Sequence, residues 1–266
     1  MKRFKLFRLS LREILSMKKA WLIAAVYCLL ILTILTIIAN EGPSKKGIFD
    51  LIADIGGTKG STNHLMIYTV AIPVIVTFFN QVTEKFESPL YVTTFGSRFR
   101  TWHAHVICAF LLSFILTCLI MLISFLIGGT LVGMNNTWLN YSGSIAQLLH
   151  NKETFQSIVP NVSVEHIIIS LLVTKFLGFL MICFSVLFLK QLTNNSAIIM
   201  IILIGLAALD QTGVFRTPFY TLTTTLSIRN WLDPMITIYH CIYLFVITLL
   251  LYGTAGMLYE RKDFLS

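Results

Sequence analysis

Paired carboxylates, paired histidines and a glycine-rich basic loop are the groups in this chain that invite a chemical reading. Glu84 and Glu87 lie one helical turn apart, so on a helix they share a face. At the end of an apolar run they cost little and mark a membrane boundary. His103 and His105 are two residues apart, which on a helix turns them about 200° from each other and makes a poor metal pair. Gly56-Gly57-Thr58-Lys59-Gly60-Ser61 has the composition of a phosphate loop but not the G-x-x-x-x-G-K-[ST] spacing. It reads as a flexible loop, and ATP hydrolysis is not expected on this chain. No H-E-x-x-H or G-x-S-x-G motif is present. The 5 cysteines lie in apolar runs without a CxxC, so they read as small hydrophobes. No catalytic residue, metal site or cofactor is therefore assigned to the chain.

Ionisable residues inside apolar segments are a separate class, because a charge in the bilayer is retained only for a reason. Lys175 lies several residues inside an apolar run, where its long side chain can snorkel to the interface or serve a substrate path. Asp210 ends the next run and is its natural ionic partner. His64 and His240 lie near or within apolar runs and can meet across a bundle. Lys175, Asp210 and His240 are the candidate substrate-path residues.

The elements that must position these groups follow from composition. The chain has 266 residues, of which 56% are hydrophobic and only 12% charged. Its mean hydropathy is +0.81. A soluble domain of this length lacks the interior to hide so much apolar side chain. A soluble enzyme, a disordered chain and a nucleic-acid-binding domain are excluded. Six apolar runs are long enough, or nearly so, to cross a bilayer as helices: about 20–39, 64–82, 104–126, 167–189, 192–209 and 235–257. Pro73 falls near the middle of the second. The expectation is an all-α membrane protein forming a single transmembrane domain over 1–266. The net charge of +8 reports topology in such a protein. Lys and Arg concentrate at the N-terminus, at Lys85, Arg98, Arg100 and Lys190, and at Arg261 and Lys262. With six spans these share one side, so both termini are expected in the cytoplasm of a plasma-membrane protein. Trp21, Trp102 and Trp231 fall near span boundaries, where aromatic belts form.

Residues 1–19 form a further unit. Phe4, Phe7, Leu11, Ile14 and Leu15 fall on one helical face, while Lys5, Arg8 and Arg12 fall elsewhere. That pattern predicts an amphipathic helix lying in the membrane interface against lipid headgroups. Between the second and third runs, a short apolar and threonine-rich stretch, about Ser88–Phe95, follows the two glutamates. Ser97 then stands as a candidate N-cap of the third span.

In this combination the chain resembles the permease subunits of ABC-2 type ABC exporters. Six spans, an N-terminal interface helix, the acidic exit at Glu84 and Glu87, the short stretch Ser88–Phe95 and Ser97-Arg98 before the third span carry the resemblance. Tyr259–Phe264 resembles the charged tail of that family, and 210–234 its re-entrant hairpin. Residues 134–166 form a longer outer segment than the family leads one to expect. The resemblance implies a transmembrane subunit driven by a separate cytoplasmic ATPase that binds ATP and Mg. Glu84, Glu87, Ser88, Pro89, Leu90, Tyr91, Phe95, Ser97 and Arg98 would form the ATPase-coupling segment. The permease would act as a homodimer or with a second permease, exporting a peptide, a lipid-like molecule or a drug, with bacteriocin or drug immunity as a role. The competing reading is a six-span membrane enzyme or accessory assembly protein without ATPase coupling.

Overall fold

The computed structural model describes residues 2–16, 18–40, 46–53, 60–62, 70–149, 151–161, 163–215 and 233–261. Among these residues the chain is helical, with no strand. The helices are α1 (Lys2–Ser16), α2 (Lys18–Asn40), α3 (Ile48–Ile52), α4 (Ile72–Phe86), α5 (Pro89–Phe95), α6 (Arg98–Val132), α7 (Ser144–Leu149), α8 (Lys152–Ile158), α9 (Val164–Leu192), α10 (Ser196–Gln211) and α11 (Pro234–Arg261).

Among the described residues four helices are long and apolar enough to cross a membrane: Trp21–Asn40 of α2, α6, α9 and Met235–Arg261 of α11. The expected spans at 64–82 and 192–209 are not among these four. The 16 residues of α10 rise about 24 Å at ~1.5 Å each, less than a hydrocarbon core of about 30 Å. It begins at Ser196 rather than Leu192 because Asn195 caps it, its side chain accepting from Ala197 N at 3.0 Å. The second expected span begins among residues outside those described, and its described helix runs on past Val82 to Phe86. Pro73 stands near the start of α4, which directly follows Val70 and Ala71, residues that are already helical. The third span starts six residues earlier than expected, at Arg98, and stays helical through Gly128 and Gly129 to Val132.

α9 is the central helix, packed against α11, α6 and α4. Most of its circumference is buried, and Ser170, Thr174, Lys175 and Ser185 are buried with it. α2 contributes a narrower seam. Tyr27, Ile31, Leu35 and Ile38 recur at helical spacing and are buried, while Leu22, Leu29 and Ile37 face outward. In a membrane the outward leucines lose nothing by meeting lipid, so packing of the inner seam against α6 and α4 holds the helix in place.

At the other end of the bundle from α1 and α5, α3 packs on α6. Gly128 makes this approach possible. A Cβ there would come within 2.8 Å of Ile48 Cδ1 and 3.2 Å of Leu51 Cδ1. We expect Gly128→Val to lower stability by about 1–3 kcal/mol through overpacking, read as a lower thermal midpoint, with Gly128→Ala much milder because a leucine or isoleucine tip can move aside.

The unexpectedly long segment 134–166 is organised by Asp50 of α3, a buried carboxylate. Its oxygens accept from Gly47 N at 2.9 Å, Thr137 Oγ1 at 3.1 Å and Trp138 Nε1 at 2.6 Å, and also from Ser144 Oγ. The indole of Trp138 is fully buried against Phe49, with ring centroids 5.7 Å apart. A charge is tolerated there because directed donors replace its water.

Candidate functional site

α5 is a seven-residue helix whose start and stop are written locally. Ser88 is extended and Pro89 occupies the first turn, where its ring pre-sets the backbone. Gly96 ends the helix at φ +67°, a left-handed conformation that glycine adopts without penalty. Ser97 caps α6 as expected, its Oγ accepting from Arg100 N at 3.3 Å.

One side of α5 is held and the other is open. Phe86, at the end of α4, is buried between Tyr91 and Phe95, with ring centroids 5.7 and 5.8 Å away. Tyr91 donates its hydroxyl to Glu13 Oε1 at 2.9 Å. Lys85 forms an ion pair with Glu13 Oε2. Glu13 on α1 therefore grips both the exit of α4 and the short helix. Burial, and then the Glu13 carboxylate, raise the Tyr91 phenol above its ordinary range, so the proton stays on tyrosine. On the open side Leu90 is 74% exposed.

The two glutamates diverge. Glu84 Oε1 accepts from Asn80 Nδ2 at 2.8 Å, and Asn80 Oδ1 accepts from Lys190 Nζ at 2.9 Å. This chain of contacts joins the exit of α4 to the last turn of α9. Glu87 ends α4, its backbone N–H donating to Thr83 O at 2.9 Å, and its charge lies within reach of Tyr259. Arg98 donates to Glu260 O at 2.9 Å, placing a cation at the carbonyl end of α11. Arg100 donates to Phe95 O at 3.2 Å. The nine expected coupling residues thus form one continuous stretch, tied to α1, α9 and α11.

An aromatic chain leads inward from α5. Phe86 meets His105 at 5.6 Å, His105 meets Tyr259 at 5.6 Å, and Tyr259 meets Trp102 at 5.5 Å. Trp102 then meets Tyr252 at 5.9 Å, and Tyr252 meets Phe184 of α9 at 5.6 Å. His105 and Trp102 are buried in this chain, so Trp102 faces protein and not the lipid-facing belt expected of it. His103 points away, against the ring of Phe99.

Two expectations for α1 are modified. It is a helix, but the face turned to the protein carries Ser10, Glu13 and Ile14, while Leu15 is 51% exposed. Ser10 lies against Cys108 of α6. Glu13 is the residue that sequence reasoning passed over. Its signal was available: it is the only acid among the basic first nineteen residues.

The candidate substrate-path residues are not gathered here. Lys175 is 2% exposed, enclosed by protein instead of snorkelling to the surface. Its place on the inward face of the most buried of the long helices explains the difference. Asp210 is buried at the end of α10, near Tyr243 of α11. His240 is half-buried on α11. His64, Trp231 and most of the expected hairpin at 210–234 lie outside the described residues. No cluster of His, Cys, Asp or Glu among the described residues has the makings of a metal site.

The long apolar helices and their outward leucines and isoleucines define the class: a helical membrane protein. No protein-family model, curated protein or solved structure matches the chain.

Proposed function

We propose that this chain is the transmembrane subunit of an ABC exporter of the ABC-2 type, working as a dimer with itself or a second permease and powered by a separate cytoplasmic ATPase. The observation that carries this reading is α5: a short helix clamped from behind by Glu13 and Phe86 and presenting Leu90 outward. A helix that only closed a loop would not need so many ties to its neighbours. Pushed from outside, α5 passes force to α1 through Glu13 and to α6 and α11 through the aromatic chain. Coupling requires that the ATPase bind two arrangements of this unit unequally.

The basic ends of the chain support placing α1 and α5 on the cytoplasmic face of a plasma membrane. The scarcity of charge along α2, α6 and α11 supports an amphiphilic cargo, such as a peptide, a lipid-like molecule or a drug. Lys175, Asp210 and His240 remain its candidate contacts inside the membrane.

The test is co-purification in mild detergent. The wild-type chain is expected to bring down a soluble subunit with a phosphate-binding loop. Leu90→Asp places a charge in the exposed apolar contact and is expected to reduce that recovery about tenfold or more, as for a buried interface anchor, while the chain itself remains folded. A folded wild-type chain that recovers no ATPase sinks the proposal and returns the membrane-enzyme or assembly-protein reading.

A further inference from the structure

A second concave site opens at the same end of the bundle, away from α5. The last turn of α9, the link to α10 and the last turn of α11 enclose a cavity of about 310 Å³. Lys190, Gln191, Thr193, Asn194 and Arg261 line it, with Leu258 beside them. Two cations and three hydrogen-bonding side chains thus face one space, and among the described residues that line it none is a carboxylate. Asn80 Oδ1 holds the Lys190 ammonium in position at 2.9 Å.

Basic residues in the last turn of a helix serve its dipole, and that would account for Lys190 and Arg261 taken singly. It does not account for their convergence on one cavity. The capped N-terminus of α10 opens at the same place and adds its positive end. Beside the cavity the surface turns apolar, with Leu192 and Met257 largely exposed. The geometry points to a binding site for the phosphate group of an anionic phospholipid. The phosphate sits between Lys190 and Arg261, Gln191 and Asn194 meet the polar headgroup, and the acyl chains follow Leu192, Met257 and Leu258 into the bilayer. Basic pockets between spanning helices suit such headgroups. A soluble phosphate compound shares the phosphate chemistry but has no use for the apolar border, so the lipid is favoured. The site stands apart from the exporter reading, because a helical membrane protein of any function can carry it.

The experiment uses the full-length chain in a neutral detergent. Short-chain phosphatidylglycerol, short-chain phosphatidylcholine and inorganic phosphate are titrated separately, and binding is followed by native mass spectrometry and thermal shift. Phosphatidylglycerol is expected to bind well ahead of the other two. Lys190→Gln together with Arg261→Gln is expected to weaken it about tenfold or more, and Arg261→Gln alone about fivefold. Glutamine at 190 keeps a donor for Asn80. Arg261 is exposed at a helix end, so its single variant gives a readout even if the double variant folds poorly. Equal binding of phosphatidylcholine would reduce the site to an acyl-chain groove and overturn the inference. Displacement of phosphatidylglycerol by an equal concentration of inorganic phosphate would make the ligand a soluble anion and overturn the lipid. Undiminished phosphatidylglycerol binding by Arg261→Gln would remove the site.

Discussion

Glu13→Ala is expected to release α5 from the interface helix and to produce the largest functional loss of any single change in α1. The carboxylate accepts from Tyr91 and pairs with Lys85, and both contacts end together. The ion pair alone contributes little, because the Lys85 side chain is 39% exposed and water screens it. The hydrogen bond from Tyr91 to a largely buried carboxylate contributes more, and its loss costs about 1–3 kcal/mol. Each 1.4 kcal/mol changes the population of the held arrangement about tenfold, so transport should fall by about that factor. Glu13→Gln separates the two contacts. Its amide oxygen still accepts from Tyr91 while the charge on Lys85 goes unanswered, and most activity should survive. Tyr91→Phe should resemble Glu13→Ala. The measurements are the rate of a thiol probe at Leu90→Cys, which reports the freedom of α5, and transport in vesicles. Equal probe rates and equal transport in wild type and Glu13→Ala would show that the clamp has no part in coupling.

The second large effect lies at the opposite end of the bundle. Asp50→Asn is nearly isosteric, yet it replaces an oxygen that receives hydrogen bonds with an amide that offers them. Gly47 N, Thr137, Trp138 and Ser144 all donate to Asp50. Whichever oxygen becomes the amide nitrogen, one fixed N–H donor (Gly47 N or Trp138 Nε1) then faces another donor, the hydroxyl beside it can turn to accept, and the remaining contacts lose their charge assistance. With charge-assisted bonds contributing about 1.5–3 kcal/mol each, and with partial relaxation, the expected loss is about 3 kcal/mol. Segment 134–161 should loosen first, because Trp138 loses its polar anchor. Trypsin cleavage after Lys152, which is exposed at the start of α8, should accelerate markedly, and the thermal midpoint should fall. Cleavage at the wild-type rate would mean that packing of Trp138 against Phe49, and not the carboxylate, holds the segment. Transport changes are expected only in proportion to stability, since Asp50 lies far along the bundle from α5.

Residue chemistry alone established that this is a helical membrane protein. Alanine, leucine and isoleucine in runs such as 20–39 leave no other environment for their surface, and backbone satisfaction in lipid then requires helices. The start of α6 was equally legible, because Ser97 caps it through its own side chain and the backbone three residues on and needs no distant partner. The same holds for the divergence of His103 and His105, which helical geometry dictates.

What the sequence could not decide was which side of each helix faces inward, since in an apolar segment both sides look alike to a hydrophobicity scale. Lys175 was read as reaching for the interface or serving a substrate path, and the packing of α9 encloses it in protein. Trp102 was read as one of an aromatic belt, and it packs inside the bundle against Tyr259. Glu13 reaches Lys85 and Tyr91 across 72 and 78 residues of chain, and Asp50 reaches Ser144 across 94. No local pattern encodes such pairings. Each exists only because packed helices bring remote side chains to one point, and there the cost of burying a carboxylate is met by donors that the folded chain alone can assemble.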